Sequence, residues 1–291
     1  MQFQGQGKPP LGIAFDSDLE TIDSALALAL LYGLQGKNEA RLISISVNRP
    51  SLQAAAFCDA VARFYAGEPS PFSPPISIGM TMGQPSSDPP MLTTIAAKYP
   101  NQVHKLNDTA DPVALLRNGL TAQNDQNAAI VLDGPPVNLL NLLPLPGAKD
   151  LIVQKVKHLV IAEARLGADA AAVKRLYADW PTEIVIVPAA LGDTLPFPGA
   201  SIEKDFAWST AHPVADAYRA YRTMPYDAPS WAMTAALYAA RPQENYFTTT
   251  DAGPRQKRLA LDASQKDRIV QAYTELASAK PVPRRRFGKK Q

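Results

Sequence analysis

The chain has 291 residues, of which 46% are hydrophobic and 19% are charged, a composition typical of a globular protein with a large core. It excludes a chain that is disordered throughout. The formal net charge is +2, but five positive charges fall in the last eight residues, so the remainder carries about −3. A body of this charge is a poor surface for a polyanion, and we therefore expect no nucleic-acid partner.

The cysteine content and the first residues bear on the compartment. Cys58 is the only cysteine, so no internal disulfide is possible, and its apolar surroundings predict a buried thiol. The start, MQFQGQGKPP, differs from a signal peptide, and no run of about eighteen apolar residues occurs. We expect a cytoplasmic chain without a membrane partner. The processed form of a secreted precursor would show the same features, so that alternative stays open.

Short apolar runs rich in β-branched residues alternate with segments of helical spacing. In chain order, the runs that predict strands are LGIAFD, RLISISVN, ISIGM, AAIVLDG, HLVIAEA and EIVIVPA. Because these runs are continuously apolar, both faces of the sheet should be covered by helices. The expected fold is α/β and Rossmann-like, with a mainly parallel central sheet flanked by helices. We expect a flexible N-terminus over residues 1–10, one domain over 11–280 and a basic disordered tail over 281–291.

Polar residues follow several of these strands, where ligands of such folds bind. Asp16 and Asp18 end the first strand, Asn48 ends the second, and Asp133 ends the fourth. Asp23 lies in the first turn of the next predicted helix, where the helix dipole favours a carboxylate. Two interpretations stay open. The carboxylates cap helices, or they form a functional acid cluster that holds a hard cation such as Ca²⁺.

Four segments resemble one enzyme family. FDSDLETIDSALALAL resembles the opening motif D-T-D-x-G-x-D-D-A-x-A-L of the inosine-uridine preferring nucleoside hydrolases. VLDGPPVNLLNLL resembles that family's G-P-x-T-N segment, and VKRLYADWPTEIVIVPAALGDTLPFPGASI resembles its helix, W-P strand and following loop. HPVADAYRAYRTMPYDAPSWAMTAALYAARP resembles the late segment with P-[ST]-W-D-x-T-A. The segments keep the family's order, which implies a nucleoside hydrolase domain over residues 11–280.

The resemblance implies hydrolysis of the N-ribosyl bond of a nucleoside, with a Ca²⁺ ion that holds the ribose hydroxyls and the attacking water. It implies that Asp18 is a metal ligand and the general base, and that Asp23 is a second ligand. Asp133 occupies the position at which, in the family, a backbone carbonyl binds the ion. The residues that the resemblance assigns to the substrate are Asp16, Asp23, Asn48 and Trp231.

The sequence departs from the family pattern at the metal site. Ser24 stands where the second aspartate of the D-D pair binds the metal, and Ala232 stands at the late aspartate. The opening motif has lost its glycine, so a one-residue shift would instead place Asp23 in the ligand position. The segment AEARLGADAAA is shorter than the family's loop and lacks its ribose-binding asparagine. Fewer carboxylates weaken Ca²⁺ binding, so we expect a weak or absent site unless Asp133 or Asp227 rebuilds it.

Three interpretations of the function follow. The chain hydrolyses a nucleoside with an impaired or rebuilt site, it binds a nucleoside or ribose-like molecule without catalysis, or it is a structural subunit. A homo-oligomer is left open. Because a fold does not determine an activity, the geometry of the site has to separate these interpretations.

Overall fold

A computed structural model describes residues 9–67, 75–84 and 87–282. The expected flexible N-terminus over residues 1–10 and basic tail over 281–291 lie largely outside the described residues. Eight strands form one sheet in the order β3-β2-β1-β4-β5-β6-β8-β7. The strands are Leu11–Ser17 (β1), Ala40–Val47 (β2), Ile78–Met80 (β3), Ala128–Asp133 (β4), Val156–Ala162 (β5), Glu183–Val187 (β6), Phe247–Gly253 (β7) and Gln256–Leu261 (β8).

Helices connect the strands and cover the sheet. The α-helices are Ile22–Gly36 (α1), Leu52–Ala66 (α2), Pro90–Lys98 (α3), Pro112–Thr121 (α4), Val137–Leu142 (α5), Ala148–Lys155 (α6), Ala170–Asp179 (α7), Ala189–Thr194 (α8), Ala200–Lys204 (α9), Pro213–Tyr221 (α10), Trp231–Ala240 (α11) and Lys266–Ala277 (α12). Short 3₁₀ turns lie at Leu106–Asp108, Glu163–Arg165, Pro242–Glu244 and Ala263–Gln265.

Neighbouring strands are parallel except for β7 and β8, which are antiparallel. The chain runs outward from β1 to β3 and then continues with β4 on the other side of β1. The strand order therefore reverses between β1 and β4, and in open parallel sheets such a reversal opens a crevice where ligands bind. The predicted α/β fold with a mainly parallel sheet is confirmed, and each of the predicted strands is present.

The apolar side chains of β4 alternate between two hydrophobic cores. Ala129 and Val131 belong to the core that includes residues of α1, α2, α10, α11 and α12. Ile130 and Leu132 point to the other face of the sheet and pack with residues of α4 to α7. Burial on both faces explains why these strands are continuously apolar in sequence.

Helix α1 is buried on every side. Residues 22–34 are all buried, and the helix contacts both α11 and α12. Its apolar residues run around the whole circumference rather than along one stripe. Although α1 is apolar, it has only 15 residues, and no helix in the described part of the chain is long and apolar enough to cross a membrane. The first turn of α1 is thereby held in the interior, next to the end of β1.

Candidate functional site

The carboxyl ends of β1 and β4 bring three predicted aspartates together in the interior. Asp16 and Asp18 are 2% and 3% exposed, and Asp133 is fully buried. Ser17 donates its Oγ hydrogen to Asp133 Oδ2 at 2.7 Å, and the backbone N–H of Asp18 donates to the carbonyl of Asp133 at 2.9 Å. These bonds fix the two strand ends relative to each other, at the point where the strand order reverses.

Asp16 lies among side chains from the ends of β2, β3 and β4. The side-chain amide of Asn138 donates from Nδ2 to Asp16 Oδ1 at 2.8 Å and accepts at Oδ1 from the Thr81 hydroxyl at 2.8 Å. Burial raises the pKa of Asp16 to about 7, although the hydrogen bond from Asn138 acts in the opposite direction. Asp16 Oδ2 and both polar atoms of the Asn48 amide are buried and make no well-formed hydrogen bond among the described residues, although the Asn48 amide lies close enough to lower the pKa of Asp16. Gly134, at φ 152°, approaches that amide so closely that a Cβ would lie 2.4 Å from Asn48 Oδ1.

A guanidinium group lies between Asp18 and Asp133. Arg165 is the last residue of the 3₁₀ turn that follows β5. Its Nη2 donates to both carboxylate oxygens of Asp18, at 3.0 and 2.8 Å, and reaches Glu20 Oε2 at 3.4 Å. Its Nε stands 4.0 Å from Asp133 Oδ1. The side chains of Arg165 and Asp18 are 16% and 5% exposed, so solvent and salt screen their attraction weakly.

The charges of this cluster influence one another. Burial raises the pKa of Asp18 to about 7, the charge of Asp133 raises it further, and Arg165 lowers it. Burial also raises the pKa of Asp133, again against the effect of Arg165. Burial of Arg165 lowers its own pKa, but the attraction of Asp18 and Asp133 outweighs that effect and the net shift is upward. The guanidinium therefore stays charged and supplies the positive charge that these carboxylates share.

Asp23 is engaged by a helix from a distant part of the chain. Its Oδ2 accepts from the backbone N–H of Ala232 at 2.5 Å, and its Oδ1 accepts from that of Met233 at 3.1 Å. These donors belong to the first turn of α11, where backbone N–H groups otherwise lack partners and the helix dipole favours an anion. Both oxygens of Asp23 thus join α1 to α11, and its role as a metal or substrate ligand remains a prediction.

A second arginine supports the loop that carries Asp18. Arg49 follows β2 and donates from Nε to the carbonyl of Asp18 at 2.6 Å. Its Nη2 donates to Asp88 Oδ1 at 2.8 Å, and Ser51 donates to the same oxygen at 2.5 Å. Arg49 is 6% exposed and so forms a buried link between the ends of β1 and β2 and the segment before α3.

Trp231 begins α11 and is partly buried. Its Nε1 donates to the carbonyl of Ala189 at 3.0 Å, and the ring lies against Gly192, where a Cβ would stand 2.1 Å from Cδ1. The indole is thereby fixed by α8. The role of Trp231 in the wall of the site remains a prediction, which rests on the resemblance alone.

The side chains present at the strand ends do not fit a Ca²⁺ ion. Such an ion takes about 6–8 oxygen ligands, several of them from carboxylates. Asp18 is paired with Arg165, Asp23 accepts from two backbone amides, and neither Ser24 nor Ala232 offers a carboxylate. Over residues 9–67, 75–84 and 87–282, no group of three or more His, Cys, Asp or Glu side chains is arranged to hold a metal ion. The carboxylates that the resemblance assigns to the metal are instead bound to the protein's own donors.

Sequence patterns do not identify Arg165, Arg49 or Asn138. Arg165 lies in AEARLGADAAA, the segment that the resemblance marks as shortened. The signal that could identify it is a basic residue directly after a buried parallel strand, when the neighbouring strands end in aspartates. Asn138 lies in the G-P-x-T-N-like segment, from which the resemblance assigns Asp133 to the site but not Asn138.

Several solved structures that resemble this chain are nucleoside hydrolases. An inosine-uridine preferring nucleoside hydrolase from Bacillus anthracis is 15% identical with a TM-score of 0.63, covering 92% of this chain and 99% of its own. A purine-preferring ribonucleoside hydrolase from Gardnerella vaginalis is 14% identical with a TM-score of 0.66, covering 92% and 98%. The type III effector protein XopQ, complexed with adenosine diphosphate ribose, is 13% identical with a TM-score of 0.63, covering 94% of each chain.

These likenesses show that the chain has the fold of the nucleoside hydrolases. No protein-family model matches the sequence, and a search of curated proteins finds no significant match. The agreement extends over nearly the whole of each chain, so the α/β architecture is shared and not just one motif.

Proposed function

We propose that this chain binds a nucleoside or another ribosyl compound at the carboxyl ends of β1, β2 and β4, and that Ca²⁺-dependent hydrolysis of the N-ribosyl bond is lost or altered. The observation that carries the proposal is a set of buried polar atoms that make no well-formed hydrogen bond among the described residues. They are Asp16 Oδ2, Asn48 Oδ1 and Nδ2, and the pair formed by Asp133 Oδ1 and Arg165 Nε, which face each other at 4.0 Å. Buried polar groups are costly unless they are hydrogen-bonded, so their concentration at one strand edge favours a polar ligand.

The chemistry of these atoms suits a hydroxylated ligand. A carboxylate oxygen accepts a hydrogen bond from a hydroxyl, and the Asn48 amide can both donate and accept. Arg165 Nε adds a charged donor beside them. The named ligand classes of the similar structures, nucleosides and adenosine diphosphate ribose, contain ribose and support this choice of class.

Hydrolysis is the second candidate, and the titration of Asp18 favours it. A carboxyl group with a pKa of about 7 can exchange a proton near neutral pH, as a general acid or base must. Both of its oxygens accept from Arg165, so Asp18 would have to part from the guanidinium before it could take a proton from water. This engagement is why we place binding before catalysis.

Isothermal titration calorimetry with inosine, uridine, adenosine and ribose tests the binding proposal. We expect a measurable heat with at least one nucleoside, and a dissociation constant about 2- to 12-fold weaker in Asn48→Ala, which corresponds to one hydrogen bond. Asn118→Ala, at an exposed position on α4, is the matched control and should bind like the wild type. The absence of heat with every compound, at protein concentrations that detect a millimolar dissociation constant, contradicts the proposal.

A product assay separates binding from hydrolysis. Inosine, uridine and p-nitrophenyl riboside are incubated with the protein in Ca²⁺ and, separately, in chelator. We expect no release of base or nitrophenol above the level of Asp18→Asn. Release that depends on Asp18 would establish hydrolysis, and release that also depends on Ca²⁺ would contradict the loss of the metal reaction.

A further inference from the structure

We infer that Arg165 is the built-in cation of this site, a positioning residue whose guanidinium holds the ends of β1 and β4 together in place of a metal ion. The inference goes beyond the proposed function, because it concerns the chain without ligand. It follows from the position of the guanidinium, the charges around it and the engagement of the other nearby arginine.

The geometry places the guanidinium of Arg165 among three acidic side chains. Nη2 of Arg165 contacts both oxygens of Asp18 and reaches Glu20, while Nε faces Asp133 Oδ1 at 4.0 Å. These carboxylates come from the end of β1, the loop after it and the end of β4, whereas Arg165 comes from the end of β5. A single side chain therefore connects three segments that converge at the reversal of strand order.

A second arginine at this edge shares Glu20 with Arg165, but its described hydrogen bonds go to other acceptors. The two side-chain bonds described for Arg49 go to the backbone carbonyl of Asp18 and to Asp88, and its Nε is 3.8 Å from Glu20. The bonds described from a cationic side chain to the carboxylate of Asp18 come from Arg165. Without its guanidinium, Asp18 and Asp133 would lie buried near each other, and like charges in such a site repel and resist ionisation.

A role in packing alone makes a different prediction. The aliphatic part of an arginine can cover apolar surface, so a side chain of similar volume should then replace it. If the charge holds the strand ends, an uncharged side chain of similar length should not stabilise them. A small free guanidinium compound should then restore stability to a variant that has room for it. Arg165→Met and Arg165→Ala separate the two roles.

Thermal melting without nucleoside tests the inference. Ca²⁺ or chelator should leave the wild-type melting temperature within about 1 °C, because no ion then contributes to folding. Arg165→Ala and Arg165→Met should each melt about 5–10 °C lower, since each leaves buried carboxylates unpaired. Arg175→Ala is the matched control: its exposed Nε lies 3.5 Å from Asp179 in α7, and its loss should not change the melting temperature.

Chemical rescue identifies the charge as the active feature. Methylguanidinium at about 20 mM, against the same concentration of potassium chloride, should raise the melting temperature of Arg165→Ala by about 2 °C or more. It should leave the wild type and Arg165→Met unchanged, because their side chains fill the space. If Arg165→Ala does not fold, Arg165→Lys takes its place, and it should melt well above Arg165→Met.

Four results would overturn the inference. They are a wild type strongly stabilised by Ca²⁺, an Arg165→Ala or Arg165→Met variant as stable as the wild type, no rescue beyond the potassium chloride control, and an Arg165→Lys variant no more stable than Arg165→Met. None of these measurements involves a nucleoside, so their failure is distinct from a failure of the binding proposal.

Discussion

Replacing Asp23 with alanine tests the role that the structure gives this carboxylate. The substitution removes the acceptor shared by the N–H groups of Ala232 and Met233, at 2.5 and 3.1 Å. Both residues are fully buried, so water cannot take over as acceptor. Each unpaired buried donor costs about 1–3 kcal/mol. Because the substitution also removes the cost of burying a carboxylate, we expect the free energy of unfolding to fall by only about 2–4 kcal/mol.

Urea unfolding, followed by circular dichroism without ligand, measures this loss. Asp23→Asn keeps one carbonyl oxygen as acceptor and should lose less stability than Asp23→Ala. Asp169→Ala is the matched control, because Asp169 is an exposed aspartate that caps α7 by accepting from the N–H of Ala172 at 3.0 Å. Its loss should cost about 0.5–1 kcal/mol. An Asp23→Ala variant that is as stable as the wild type but has lost nucleoside binding would show that Asp23 binds the ligand and does not support α11.

Three further predictions concern titration and packing. Burial lowers the pKa of His212 to about 3. As the pH drops below about 6.5, the unfolded chain binds a proton at this histidine before the folded chain does, so the free energy of unfolding falls by up to about 1.4 kcal/mol per pH unit. In His212→Asn, urea titrations should show a shallower fall. Asp16 gives a pH dependence of the opposite sign. Because its pKa is about 7 in the folded chain, the free energy of unfolding falls by up to about 4 kcal/mol as the pH rises from about 4 to 7. Asp16→Asn should gain stability relative to the wild type across that window. A pH dependence parallel to the wild type would contradict either assignment. Gly192→Ala would place a methyl group 2.1 Å from Trp231 Cδ1. We therefore expect the free energy of unfolding to fall by about 1–3 kcal/mol and the tryptophan emission to shift. An unchanged spectrum and stability would show that the ring is not held there.

The parallel core of the fold could be predicted because burial on both faces leaves a local signal. Runs such as AAIVLDG are apolar without interruption, and they coincide with strands whose side chains enter two cores. The pair β7 and β8 gives no such signal. β7 is an edge strand of mostly exposed residues, with Thr248 to Asp251 facing solvent on both sides, so its pattern resembles a loop.

The site could be predicted only where position along a strand determines position in space. Asp16, Asp18 and Asp133 follow parallel strands, and parallel strands bring their carboxyl ends to one edge. The partners of these carboxylates depend on contacts between remote segments. Arg165 lies 147 residues from Asp18 along the chain, and Ala232 lies 209 residues from Asp23. Neither pairing leaves a mark in the local spacing of residues.

The burial of α1 has a consequence for biosynthesis. The helix lies near the start of the chain, but two of the helices that cover it, α11 and α12, end at Ala240 and Ala277. At about 5–20 residues per second, a ribosome needs roughly 10–50 s to add the residues between α1 and the end of α12. Throughout that time the segment ALALALLYGL lacks the part of its native cover that α12 supplies. We expect the nascent chain to depend on chaperones that bind apolar segments, and truncation before α12 to produce aggregates instead of a smaller folded protein.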